Sequence, residues 1–141
     1  MELQITFPGG KRVDAAFMDQ IIKTDQSRQS GGDGSAPEPY LLFLASLGTC
    51  AGIYVLGFCQ SRGLSPEGIS LTQKMDWDMA THRLARVFLE IHVPPSFPEK
   101  YRDALARAAD QCAVKKTLLS PPDFHIATVV DGEERDEAEA V

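Results

Sequence analysis

Three cysteines, at positions 50, 59 and 112, are the residues of this chain best suited to chemistry. They are an odd number with no Cys-x-x-Cys spacing, unlike the even sets that staple small secreted domains. A thiolate can attack a peroxide, and a second thiol can then condense with the sulfenic acid before it oxidises further. Such a pair needs a cation or hydrogen-bond donors beside the anion, a path for the peroxide, and two sulfurs within reach. Spacing alone leaves the matter open. Free cysteine is among the most buried residue types, so all three could equally be core fillers.

Cys50 and Cys59 fall on one predicted helix, nine residues apart. At about 100° and 1.5 Å per residue they point to opposite sides and stand about 13 Å apart along the axis. A disulfide needs Cα atoms within about 7 Å, so these two cannot bridge without unwinding. Cys59 is therefore read as core. Cys50 and Cys112 carry no such prohibition. Lys115 and Lys116 follow Cys112 at helical spacing and are expected to favour its anion. Cys50 has no cation nearby in sequence, so one must arrive from elsewhere in the fold. His82, His92 and His125 show no metal-ligand spacing. The stretch GGDGSAPEP lacks the Lys-Ser/Thr of a phosphate-binding loop, and no nucleophile elbow surrounds any Ser or Cys. No metal or cofactor is expected.

The elements that must position these thiols can be read from periodicity. Leu3, Ile5 and Phe7 alternate with polar residues, as in a half-buried strand. Pro8-Gly9-Gly10 signals a turn, residues 12–17 a returning strand, and residues 20–24 a short third one. Residues 30–35 read as a flexible loop without side chains able to pack. Residues 40–59 then run without a single charge. Pro37 and Pro39 suit the start of a helix, and Arg62 and Gly63 its end.

A helix of that length would also cross a bilayer, so a single-span membrane protein is a competing reading. Three features oppose it. The flanks carry no basic cluster, small residues (Ala45, Gly48, Ala51, Gly52) share a stripe, and the remaining chain looks like sheet in need of a cover. A helix apolar all round is buried, here within protein. Gly48 and Gly52 permit close approach of a second backbone. One short chain has little material to wrap such a helix, so burial demand points to a homodimer.

Residues 68–79 and 83–93 read as two long strands joined by a tight turn. Ile69, Leu71, Gln73, Met75, Trp77 and Met79 share one face of the first. Pro94 and Pro95 end the second. A further helix starts near Pro98 and Glu99, with Tyr101, Leu105, Ala108 and Cys112 on its inner stripe and Cys112 near its C-terminal end. Residues 124–130 read as a last strand. The order β-β-β-α-β-β-α-β lacks a repeated βαβ unit, which favours a segregated α+β fold with antiparallel sheets. Residues 1–130 form one domain, and residues 131–141 an acidic tail expected to be disordered.

Composition is that of a globular protein, 43% hydrophobic and 24% charged, with a net charge of −6. Nucleic acid is disfavoured as a partner, because the basic residues are scattered and outnumbered. The opening MELQITFPGG has neither the basic nor the apolar region of a secretory signal. Reduced thiols in the cytoplasm are the expectation.

The stretch GGDGSAPEPYLLFLASLGTC, ending at Cys50, resembles the segment of the OsmC/Ohr family that carries its first reactive cysteine. Cys112-Ala113-Val114 resembles that family's second cysteine motif, with alanine in place of proline. The resemblance implies an intertwined homodimer with two central helices and active sites at the interface. It implies reduction of organic hydroperoxides: Cys50 attacks, Cys112 resolves the product as a disulfide, and an external dithiol restores both thiols. A lipoylated protein is one such dithiol.

The family holds its thiolate with an N-terminal Arg paired to a Glu. Arg12 or Lys11, after the Gly9-Gly10 turn, could supply the cation, and Arg28 is a third candidate. Tyr40 stands where the family's Glu follows the helix-initiating proline, leaving Glu38 as the candidate carboxylate. These departures resemble the broader OsmC-like branch. The competing reading within the family is a binding protein that holds an apolar small molecule in the interface cleft without turnover.

Overall fold

The computed structural model describes residues 1–130, so the acidic tail expected at 131–141 lies outside the described residues. The N-terminal alternation forms an antiparallel sheet of β1 (Gln4–Gly9), β2 (Arg12–Phe17) and β3 (Gln20–Ile22), in that order. Ile5 lies opposite Ala15, and Ala15 opposite Ile22. The turn after β1 uses φ of 124° at Gly9 and 63° at Gly10, a region where a Cβ would clash. Every residue of β1 and β3 is exposed, Phe7 at 80%. Among the described residues nothing covers β1 and β3, while β2 is half-buried.

The loop that follows is not the unpacked segment its glycines suggest. Asp25 is buried, and its carboxylate accepts the Gln26 N–H (2.8 Å), the Ser35 N–H (2.9 Å) and the Ser35 hydroxyl (2.7 Å). The Ser35 backbone bond first, then its hydroxyl, hold the Asp25 carboxyl down at about 2. Gly32 must be glycine here, since a Cβ would overlap the Gln26 carbonyl and sit 2.8 Å from Asp25 Oδ1.

The uncharged run becomes α1 (Pro39–Ser61), 23 residues and about 35 Å long. Proline opens it where the missing N–H has no helical partner. At its end the Arg62 guanidinium lies 3.8 Å over the Phe58 ring. The helix is long and apolar enough to cross a membrane. Within one chain, however, only a single stripe is buried: Leu44, Leu47, Ala51, Val55, Phe58 and Cys59. The expectation of a helix buried on all sides is thus met on one face. The opposite face, with Ile53 at 67% exposure, finds no cover among the described residues.

Strands β4 (Ser70–Asp78) and β5 (Arg83–His92) pair antiparallel as a second sheet, Gln73 opposite Leu89, with a bulge at Asp76/Trp77. Gln73 is the one polar side chain on its otherwise apolar row. Its Nε2 donates to the Leu44 carbonyl of α1 at 2.9 Å. Gly48 makes room for this, because a Cβ there would stand 2.9 Å from Gln73 Oε1.

The C-terminal part departs from the sequence reading twice. The single helix expected from Pro98 through Cys112 is a 3-10 turn (Glu99–Tyr101), α2 (Arg102–Ala109) and a separate α3 (Ala113–Leu119). Cys112 is buried as expected, but as the N-cap of α3 rather than near the C-terminal end of one continuous helix. Residues 121–130 have no regular structure, and the strand expected at 124–130 is absent. Their alternation is real, but a strand exists through hydrogen bonds to a neighbour, and this segment pairs with none among the described residues. The core lies between α1 and the α2–α3 pair, where Phe97, Leu105, Ala109 and Cys112 meet the α1 stripe. The fold is α+β with two antiparallel sheets, of which the second packs on this helical core through β4.

Candidate active site

Cys50 lies on the flank of the α1 stripe and is half-buried. The break between α2 and α3 turns Cys112 toward it. The Cys112 thiol donates to the Leu47 carbonyl at 3.8 Å, one turn before Cys50, and its sulfur accepts the Lys115 N–H at 3.4 Å. The Cys50 sulfur faces the Val114 N–H, the Cys112 thiol and the Ala113 N–H. The two cysteines that sequence spacing left merely compatible are therefore brought together as neighbouring thiols that influence each other's ionisation.

Their environments drive the two thiols apart. The Val114 N–H, then the Cys112 thiol, stabilise a Cys50 anion and lower its pKa below the ordinary 9.0. Burial acts oppositely on Cys112, which is 2% exposed, and raises its pKa. Cys50 is thus the more acidic thiol of the pair and Cys112 the less acidic one. Limited iodoacetamide near neutral pH is expected to label Cys50 first, with Cys112 labelled only as pH rises. Peptide mass spectrometry reads the order, and prior labelling of Cys112 or Cys59 would contradict it. Cys59 is fully enclosed, and burial raises its pKa, as for a core residue.

The expected electrostatics are corrected. The Lys115 ammonium pairs with Asp110, and that of Lys116 donates to Gln111 Oε1 at 2.8 Å. What Lys115 gives the Cys112 sulfur is its backbone N–H. Among the described residues of one chain, donors from the start of α3 face Cys50 in place of a side-chain cation. Sequence reasoning missed these donors because every non-proline residue has one; only knowledge of the helix break could have revealed them.

The remaining candidates lie elsewhere within the chain. Arg12 donates from Nε to the Gly9 carbonyl of its own turn at 3.2 Å. The Lys11 side chain passes beside Gly31, and Arg28 donates to the Asp33 carbonyl at 3.3 Å. Glu38 accepts the Ser27 N–H at 2.9 Å, which lowers its carboxyl pKa. It stands at the N-cap position of α1 without a side-chain capping bond, about 18 Å along the axis from Cys50. Tyr40 packs on Phe43 and Trp77, ring centroids 5.6 and 6.0 Å away.

A groove of about 390 Å³ opens on the Cys112 side of the pair. Leu47 of α1, Leu89 and Ile91 of β5, and Ala106 and Ala109 of α2 line it together with Cys112. Asp110 and Lys115 contribute its charged atoms, already paired with each other.

Fold and site together define an α+β protein whose long apolar helix presents one thiol to a second thiol at the start of another helix. The model of the family described as OsmC-like protein matches residues 32–127. The chain belongs to the OsmC family. Among solved structures it is similar to a Psychrobacter arcticus protein named for osmotic stress induction and detoxification response. The two share 20% identity over 82% of this chain and 85% of that one, at a TM-score of 0.68. It is also similar to an organic hydroperoxide resistance protein OsmC from Legionella pneumophila, with 18% identity over 84% and 89% of the two chains and a TM-score of 0.54. At such identities the likeness speaks for the fold alone. No curated protein matches the chain.

Proposed function

We propose that this chain is a thiol-dependent reductase of organic hydroperoxides, working in the cytoplasm as a homodimer. The observation that carries the reading is the Cys50–Cys112 pair, one thiol favoured as anion and the other held protonated beside it. The Cys50 thiolate attacks one peroxide oxygen, the O–O bond breaks, and the alcohol leaves with a proton. The Cys112 sulfur then attacks the Cys50 sulfenic acid, water departs, and a disulfide forms. An external dithiol returns both residues to thiols.

Assembly supports the same reading. The exposed face of α1 and the uncovered first sheet both need a partner surface, and a second copy supplies matching apolar area. Arg12 sits on that uncovered sheet. Glu38 sits at the head of α1. We assign them the thiolate-holding roles only in the assembled dimer, where chain separation no longer sets their distance from Cys50.

The test is a stoichiometric addition of cumene hydroperoxide followed by disulfide mapping. A 50–112 disulfide with Cys59 left as a thiol is the expected product. The rival reading, an apolar-ligand binder without turnover, draws on the groove beside Cys112 and expects all three thiols to survive.

A further inference from the structure

Helix α3 is short and weakly packed, and its start is held by sulfur. It has seven residues, and isolated helices shorter than about 12 residues are marginal in water. None of the seven is buried among the described residues. Val114 packs half-buried against the core, while Leu118 and Leu119 are exposed. The Cys112 Sγ accepts the Lys115 N–H at 3.4 Å, one of the first-turn donors that no helical carbonyl can satisfy. The Cys112 thiol donates in turn to the Leu47 carbonyl at 3.8 Å, which ties the cap to α1. The Ala113 and Val114 N–H groups face the Cys50 sulfur.

Each of these links depends on the oxidation state of the pair. When the two thiols join, two hydrogens and two electrons pass to the oxidant, and a hydroperoxide leaves as alcohol and water. The Cys112 hydrogen that reached Leu47 is then gone. The Cys112 sulfur is drawn to a covalent distance of about 2 Å from that of Cys50 and re-aimed from the Lys115 N–H. The Cys50 sulfur can no longer carry a charge for the Ala113 and Val114 N–H groups to meet. Loss of a cap matters most in a helix with little else to hold it.

We infer that α3 is a redox-sensitive flap, docked on α1 while Cys50 and Cys112 are thiols and released at its first turn when they form a disulfide. The inference rests on the redox reading of the thiol pair and concerns what oxidation does to the fold. Lys115 and Leu118 line the groove of about 390 Å³, so release of α3 opens that wall beside Cys112. The coupling runs both ways. Order in α3 favours the dithiol state, and return of the thiols docks the helix again.

Hydrogen–deuterium exchange of peptides covering residues 113–120 reads the flap, with protein oxidised by diamide so that no peroxide reaction is needed. Oxidation is expected to speed exchange there about fivefold, the effect of one lost cap, and to leave α1 unchanged. Reduced Cys112→Ala, which loses the cap without gaining a disulfide, is expected to exchange as fast as the oxidised protein. Reduced Cys112→Ser, with a hydroxyl cap, is expected to stay slow. Equal exchange in the oxidised and reduced protein overturns the inference, and so does loosening shared by α1. A Cys112→Ala protein as slow as the reduced parent also overturns it, because the cap would then hold nothing. Should cumene hydroperoxide leave the thiols intact while the diamide-made disulfide still loosens α3, the peroxidase reading fails and the flap stands.

Discussion

Replacing Cys50 with serine is expected to lower organic hydroperoxide consumption by about a thousandfold or more, the scale on which losing an enzyme's nucleophile acts. The size follows from geometry. Serine is nearly isosteric, so the start of α3 keeps its position, but a hydroxyl ionises far less readily than a thiol and is a much weaker nucleophile. Cys112 cannot take over, because it is 2% exposed and that burial raises its pKa, outweighing the Lys115 N–H that favours its anion. Cys112→Ser is expected to behave differently, with one turnover per chain followed by arrest. Its Cys50 would accumulate as sulfenic acid, trapped by dimedone, and then as sulfinic acid. Steady turnover by the Cys50→Ser protein would end the proposal.

Gly32→Ala is the substitution with the largest expected structural effect. The added methyl would meet the Gln26 backbone carbonyl, which no side-chain rotation can move aside. Overpacking of this kind costs about 1–3 kcal/mol, and here it also opens the ring of bonds around Asp25. A lowered urea midpoint checks it; an unchanged midpoint contradicts it. Acid unfolding reads the same ring through Asp25. Its carboxyl lies at about 2 in the fold against an ordinary 3.8, so its stabilisation is full above 3.8 and fades as pH falls toward 2. Asp25→Asn should lower stability at neutral pH and flatten that part of the acid profile.

Much of the framework was legible because periodicity and turn chemistry report on local structure. The β1–β2 turn, the proline start of α1, the Arg62-Gly63 stop and the β4–β5 hairpin all follow from residues within a few positions of one another. The Cys50–Cys112 pairing was not legible in this way. Nothing in spacing sets the meeting of two helices, and only the resemblance of two motifs to the OsmC/Ohr pattern raised that pair above the core-filler reading.

Three failures share one cause. The break before α3 is capped by a cysteine sulfur, and cysteine is not among the residues that announce a cap. The loop around Asp25 is organised by a carboxylate reaching ten positions ahead to Ser35, which no short pattern encodes. Residues 124–130 alternate correctly yet remain unpaired, because a strand needs an edge that local sequence cannot provide. Lys115 and Lys116 misled for a related reason: helical spacing places a lysine near a sulfur, but nearby Asp110 and Gln111 compete for its ammonium.

The amide of Gln73 has a mechanical consequence. Reaching the Leu44 carbonyl through the notch at Gly48, it works as a locating pin between strand and helix. Were α1 to slide by one residue, the threonine at 49 or the leucine at 47 would fill the notch and the pin would not seat. The height of Cys50 above the α3 amides is thereby set from the far flank of the helix, by a side chain that need never touch a sulfur.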